Sequence, residues 1–328
     1  MRTITCVAIM GCLIAAFWIT NPSVTLAAPE TITLKCVTFL PKTEPSFKYF
    51  FEFIDRIQKQ SNGRLEVKLV GGPEAIPSFE QMQALRSGVV DLLATVSAYY
   101  IGDLKEAMAF QYGNITPQEE RKVGFYDLMD KLHQQKLNVK YLGRFCWPAR
   151  FYFYSRVPLR TIADFKGKRI RGNPGYEPFL KALGATSVNT TFAEVFSVME
   201  RGVVDAFGWP TIGVLFFGWD SVFKYVITPG WYEMNAVAHM NLNTWKKLPD
   251  DLKKIVMDNV LWMEKETVPY WEAWDKEQLK IMKEQKGKEI ITVDDPEGYL
   301  KMSMDAAWKV VKEACPETGP VMEKMIRR

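Results

Sequence analysis

The sequence predicts an α/β protein of two similar lobes braced by one long helix. Three observations carry that prediction. Strand-like and helix-like segments alternate along the chain, one helix–glycine–strand unit occurs twice, and an unusually long helical pattern follows the second copy.

The first segment stands apart from the fold. Arg2 gives it a positive start, an apolar stretch runs over residues 7–19, Asn21 and Pro22 break it, and Thr25-Leu26-Ala27-Ala28 offers small residues for cleavage. This reads as a secretory signal peptide over residues 1–27. Its apolar core is shorter than the about 20 residues that span a bilayer. About 300 residues follow, enough for two domains of ordinary size. The net charge of +4 is too mild to imply a nucleic-acid partner. Cys36, Cys146 and Cys315 remain after the leader. They allow one bridge at most, which excludes a disulfide scaffold and predicts buried or inert thiols.

Residues 30–39 carry Thr31, Ile32, Thr33, Leu34, Cys36 and Val37, mostly strand formers. Phe47, Phe50, Phe51, Ile54 and Ile57 recur at helical spacing over residues 47–61. Residues 65–70 alternate as a strand and stop at Gly71-Gly72-Pro73, a further helix follows, and residues 89–96 read as a strand. This β-α-β-α-β order predicts a mainly parallel sheet flanked by helices.

The repeat sharpens the picture. Glu80 stands eight residues before Gly88-Val89-Val90-Asp91, and Glu194 stands eight before Gly202-Val203-Val204-Asp205. Ser78 and Thr191 lie just upstream as candidate helix N-caps. Each copy predicts a helix, a glycine with φ > 0 that ends it, and a buried strand. A repeat distance of ~115 residues is too long for a solenoid and indicates two lobes. From Leu248-Pro249-Asp250-Asp251 a helical pattern runs to about Met282, interrupted only by Pro269. It predicts either one kinked helix across both lobes or two consecutive helices. The expected lobes are 28–148 with about 236–252, and 149–235 with about 286–328, joined by a helix over 249–285.

Catalytic signals are few. His133 and His239 are the only histidines and stand in different halves, and no zincin, nucleophile-elbow or phosphate-loop motif occurs. No metal and no cofactor is expected, and no enzymatic role. Recognition signals are stronger, with 10 Trp, 13 Tyr and 20 Phe. In Phe145-Cys146-Trp147-Pro148-Ala149-Arg150-Phe151-Tyr152, an arginine stands beside aromatic walls, a combination suited to a carboxylate-bearing ligand. The same stretch also reads as a central strand with a packed aromatic core. In Thr161-Ile162-Ala163-Asp164-Phe165-Lys166-Gly167, Thr161 caps a one-turn helix that Gly167 ends. A short strand then delivers Arg171 to its carboxyl end, where open α/β sheets place ligands. Asn173 follows in the turn Gly172-Asn173-Pro174-Gly175. A surface arginine in a basic patch is the equal alternative on spacing alone.

Three segments carry a family resemblance: Gly71–Pro77 through Gly88–Asp91, Ile162–Arg171, and Leu183-Gly184-Ala185 through Phe192-Ala193-Glu194-Val195 to Gly202–Asp205. On these the chain resembles the solute-binding proteins of tripartite ATP-independent periplasmic (TRAP) transporters, the DctP-type family. The resemblance spans nearly all of the chain after the leader. It implies a two-lobed periplasmic-binding-protein fold whose lobes close by a hinge on a small organic acid, for delivery to separate membrane permease subunits. It places the ligand's carboxylate on Arg171, with Arg150 as a second arginine. Trp209 replaces the family's asparagine and points to a flatter or more apolar acid. Gly208 removes a glutamate that can help hold a cation. Tyr99, Tyr100 and Glu74 are the first-lobe candidates, and Phe151, Asn173 and Trp231 complete the expected site. The protein would be periplasmic, a monomer or weak dimer. A secreted carboxylate-dependent hydrolase and a sensor for a membrane receptor are the alternatives.

Overall fold

The structure is a computed structural model that describes residues 31–328, so the expected signal peptide, with Cys6 and Cys12, lies outside the described residues. Among the described residues eleven strands form in chain order: β1 (Ile32–Thr38), β2 (Leu65–Gly71), β3 (Leu92–Val96), β4 (Val139–Cys146), β5 (Phe151–Ser155), β6 (Arg169–Gly172), β7 (Thr186–Asn189), β8 (Ala206–Pro210), β9 (Tyr225–Thr228), β10 (Ala236–Asn241) and β11 (Glu289–Thr292). They make two sheets, in the orders β2-β1-β3-β10-β4 and β11-β9-β5-β8-β6-β7.

Both sheets are mainly parallel, as the alternating order predicts. Each has one antiparallel strand: β10 in the first and β5 in the second. These are the strands reached by the two crossings that run directly from strand to strand, β4 to β5 and β9 to β10; β11, reached through the long helix, is parallel to β9. The two crossing segments run side by side. Phe151 N–H donates to Tyr232 O (2.9 Å), Trp231 N–H to Phe151 O (3.0 Å) and Met234 N–H to Ala149 O (2.7 Å).

The repeat has the same architecture in both sheets. Helix Gln81–Ser87 ends at Gly88, φ +79°, and helix Val195–Glu200 is followed by Gly202, φ +69°. The aspartate that follows ties its segment to the neighbouring strand. Asp91 Oδ2 accepts from Lys35 N–H (2.9 Å) and its own N–H donates to Lys35 O (2.8 Å). Asp205 does the same with Arg169 (2.8 and 2.7 Å). Of the expected N-caps, Thr191 forms a capping box with Glu194. Ser78 does not cap: its hydroxyl donates to Phe39 O (2.8 Å), tying the loop to the end of β1.

The long helix is continuous over Asp250–Glu284, with Pro269 inside it. Leu252, Val256, Val260, Met263, Thr267 and Trp271 share its buried face. Its approach to β4 depends on Gly143, where a Cβ would lie 2.4 Å from Glu264 Oε1 and 2.6 Å from Val260 Cγ1. Thr267 Oγ1 donates to Phe145 O in the first sheet (3.1 Å). Two turns on, Asp275 accepts from Tyr152 (2.6 Å) on β5 and from Thr211 (2.7 Å) just beyond β8. One helix therefore bonds to both sheets.

The C-terminal part, expected over 286–328 in the second lobe, touches elements on both sides. Strand β11 belongs to the second sheet and helix Pro296–Ala314 packs on helix Glu177–Ala182. Helix Pro296–Ala314 also reaches the first-sheet side, where Trp308 Nε1–H donates to Tyr112 O (3.1 Å), and helix Gly319–Ile326 packs on it and on helices Ala109–Tyr112 and Phe125–Leu137. Asn114 N–H donates to Ile326 O (3.1 Å). Cys36, Cys146 and Cys315 are free and buried.

Candidate functional site

The carboxyl ends of the parallel strands converge on one cavity between the sheets. Phe39 and Leu40 follow β1, Ala98 and Tyr99 follow β3, and Asn173 and Tyr176 follow β6. Trp209 and Pro210 end β8, and Ile212 lies beyond them. This is the position at which α/β sheets gather ligands. Phe151, Met234 and Asn235 close the cavity from the crossing segments, and Glu44 and Gln111 enter from the first-sheet side. The walls are mostly apolar, with a few polar groups among them, a pattern that encloses and orients a small molecule.

Arg171 stands at the margin of this cavity. Strand β6 lies between β7 and β8, so the side chain is 1% exposed. Its Nε donates to Thr190 Oγ1 (3.2 Å) and its Nη2 to Thr190 O (2.8 Å). The guanidinium carbon lies 5.2 Å from the ring centre of Trp209. Nη1 is buried with no partner. Among the described residues no carboxylate stands within 4.0 Å. Burial pulls its pKa down, and the nearby Tyr176, Tyr99 and Glu194 recover only part of that. The result is a desolvated cation held by neutral oxygens and an indole face.

The expected residues separate into three groups. Trp209, Tyr99, Phe151 and Asn173 line the cavity, with Arg171 against Trp209. Trp209 is fixed by its Nε1–H donating to Ile212 O (3.1 Å). Trp231 sits one layer back: its ring packs at 5.0 Å on Tyr176, 5.6 Å on Phe151 and 4.9 Å on Phe153. It buttresses the wall and is not part of it. Arg150, Tyr100 and Glu74 lie elsewhere. Arg150 points outward from the crossing segments and pairs with Glu233 at 3.3 Å, because a β-bridge sets these two residues opposite each other. Tyr100 turns into the first lobe's core, within 3.1 Å of His133 Nε2 and 3.4 Å of His239 Nε2. Glu74 folds back on its own loop and accepts from Gly72 N–H (2.7 Å).

Gly208 has a steric role that motif reading did not reveal. A Cβ there would lie 3.1 Å from Tyr176 and 3.2 Å from Trp231, so the missing side chain gives Tyr176 its place in the wall. The sequence reading missed Tyr176, although it follows directly on the turn Gly172-Asn173-Pro174-Gly175. Glu44, Gln111, Met234 and Asn235 had no local signal, because distant segments bring them to the cavity. Gly175 makes room for Gln111: a Cβ would sit 2.2 Å from its Oε1. Tyr112 also donates to Gly175 O (2.9 Å), linking the two sides of the cavity. Among the described residues no group of three or more His, Cys, Asp or Glu is placed to hold a metal ion.

Known proteins resemble this chain in sequence and in fold. A binding protein for monocarboxylate 2-oxoacids from Nostoc sp. is 24% identical over 248 residues, covering 72% of this chain and 67% of the relative. The C4-dicarboxylate-binding periplasmic protein DctP of Rhodobacter capsulatus is 25% identical over 264 residues, 75% of each chain. The crystal structure of a TRAP periplasmic solute-binding protein from Desulfovibrio salexigens, with bound orotic acid, superposes with a TM-score of 0.80 at 19% identity. It covers 89% of this chain and 96% of its own. The family model for bacterial extracellular solute-binding protein, family 7 matches residues 36–314. With two mainly parallel sheets, one helix tied to both, and a cavity at the strand ends, the chain belongs to that family, the DctP family of TRAP solute-binding proteins.

Proposed function

We propose that this protein captures a small organic acid between its two sheets, with the ligand's carboxylate on Arg171, and delivers it to TRAP permease subunits in the membrane. One observation supports the site assignment: Arg171 is buried and, among the described residues, has no acidic partner within 4.0 Å and keeps Nη1 bare. A desolvated cation without a counter-ion is costly. A carboxylate supplied by the ligand removes that cost and makes the strong two-pronged hydrogen bond that guanidinium favours. The named ligands of the relatives are chemically diverse but have an acid group in common.

Capture proceeds by hinge closure. The two crossing segments are the hinge, the first-sheet side brings Tyr99 and Gln111, and the second brings Arg171, Trp209 and Tyr176. The leader read from residues 1–27 sends the protein to the periplasm. This is binding chemistry and not hydrolysis.

The test is a thermal-shift screen of refolded protein against a library of organic acids, followed by calorimetry on the best ligand. Ligand that binds only the folded state raises the melting temperature. Arg171→Met should weaken binding by about 100-fold or more, in line with the loss of one member of a buried charged pair. Unchanged affinity in that variant would overturn the assignment.

A further inference from the structure

Glu44 is the one carboxylate that lines the cavity. It is 3% exposed, and among the described residues no cation lies within 4.0 Å of it. Its place is set by local structure. It is the N-cap of the turn Pro45–Phe47 that opens helix Lys48–Gln60, and its Oε2 accepts from Ser46 N–H (2.8 Å) and from the Ser46 hydroxyl. Two donors on one oxygen, at a helix N-terminus, favour the ionised form. The second oxygen has no such partner. It is turned toward the second-sheet segment at Gly213, where a Cβ would lie 3.3 Å from Oε1. The cavity thus has a carboxyl group with no cationic partner entering from the first-sheet side and an unpaired cation, Arg171, at its second-sheet margin. Phe39, Tyr99 and Trp209 are aromatic walls of the same space, suited to a cationic group.

We infer that the ligand is a small amino acid, its carboxylate on Arg171 and its ammonium on Glu44. The inference rests on the carboxylate reading above and extends it. A 2-oxo acid would leave Glu44 desolvated and unpaired, or require it protonated. An ammonium completes it as the carboxylate completes Arg171.

Burial pushes the Glu44 carboxyl up to about 7, against the pull of the Ser46 hydrogen bonds. The other titratable groups facing it are Cys146, raised by burial and by Glu44, and Tyr99, raised by burial, with Arg171 beyond. None of them changes charge between pH 6 and pH 8. Ionising Glu44 across that range strengthens its hold on an ammonium, so amino-acid affinity rises with pH.

The test uses refolded protein and calorimetry on matched trios of acids: alanine, lactate and pyruvate, then the 2-amino, 2-hydroxy and 2-oxo acids of the leucine and phenylalanine skeletons. In at least one trio the amino acid should bind tenfold or more tighter than its partners at pH 8, and more weakly at pH 6. Glu44→Gln keeps an oxygen for Ser46 N–H and should abolish the preference. Tighter binding of the oxo or hydroxy acids, binding of no trio, a preference that survives Glu44→Gln, or affinity that falls with pH each overturns the inference. If Glu44→Gln does not fold, the wild-type preference and pH profile decide. The underlying reading fails separately, through unchanged binding in Arg171→Met.

Discussion

Two buried arginines, one in each sheet, show what separates a structural charge from a functional one. Arg144 on β4 is fully buried, and its Nε and Nη2 grip both oxygens of Glu120. Its backbone N–H donates to Glu264 (3.3 Å), and Glu264 is itself held by Arg121 (2.6 and 3.0 Å). Burial lowers the Arg144 pKa, but Glu120, together with Tyr141 and Glu264, outweighs it and the net direction is up. Arg171 on β6 is as deeply buried and has Thr190 where Arg144 has a carboxylate, and its net direction is down. Each keeps one bare nitrogen. The difference is therefore the counter-ion: the fold supplies one to Arg144 and leaves Arg171 to find one.

The largest effect that would sharpen this contrast is on stability. Arg144→Met strands Glu120 in the core and should cost about 3–5 kcal/mol in urea unfolding. A loss below about 1 kcal/mol would mean that the pair is not the anchor described here.

The next effect is on pH dependence. The Glu44 carboxyl is raised to about 7 in the folded protein, above its ordinary unfolded value. Between these two pKa values the folded state holds the extra proton, so its stability falls as pH rises from about 4.5 to 7, by about 2–3 kcal/mol in all. Glu44→Gln should flatten that part of the ligand-free profile. Superimposable profiles would remove Glu44 from the account.

A side chain at position 208 must displace Tyr176 or Trp231. Gly208→Ala should cost about 1–3 kcal/mol of stability and weaken ligand binding, read by melting and calorimetry together. Neutral behaviour would show that the wall gives freely. The smallest effect is expected at Arg150. Its side chain is 58% exposed and its pair is screened by water, so Arg150→Ala should change ligand affinity by less than about tenfold. A larger loss would return it to the site.

Much of the fold was legible in the sequence, because local chemistry encodes it. The paired Gly-Val-Val-Asp units became two helix–strand joints with identical aspartate contacts. The pattern from Asp250 onward became one helix. What escaped was set by long-range pairing. Strand β10 is antiparallel because the chain crosses back beside its first crossing, and nothing within residues 236–241 announces that. The site divides in the same way. Arg171 and Trp209 lie at the ends of recognisable strands and could be placed from local pattern. Arg150 also stood at a strand end, but its bridge to Glu233 turned it outward. Tyr100 is one residue from Tyr99 and faces the opposite way, into the His133–His239 cluster. Glu44 and Gln111 meet the cavity only through tertiary packing.

The most direct measurement of the central claim compares ligand-free stability and ligand affinity in one variant, Arg171→Met. The account predicts a free protein at least as stable as wild type, because a desolvated, uncompensated charge has been removed, together with loss of binding to every carboxylate ligand. Marked destabilisation with affinity retained, the behaviour expected of a structural arginine such as Arg144, would contradict it.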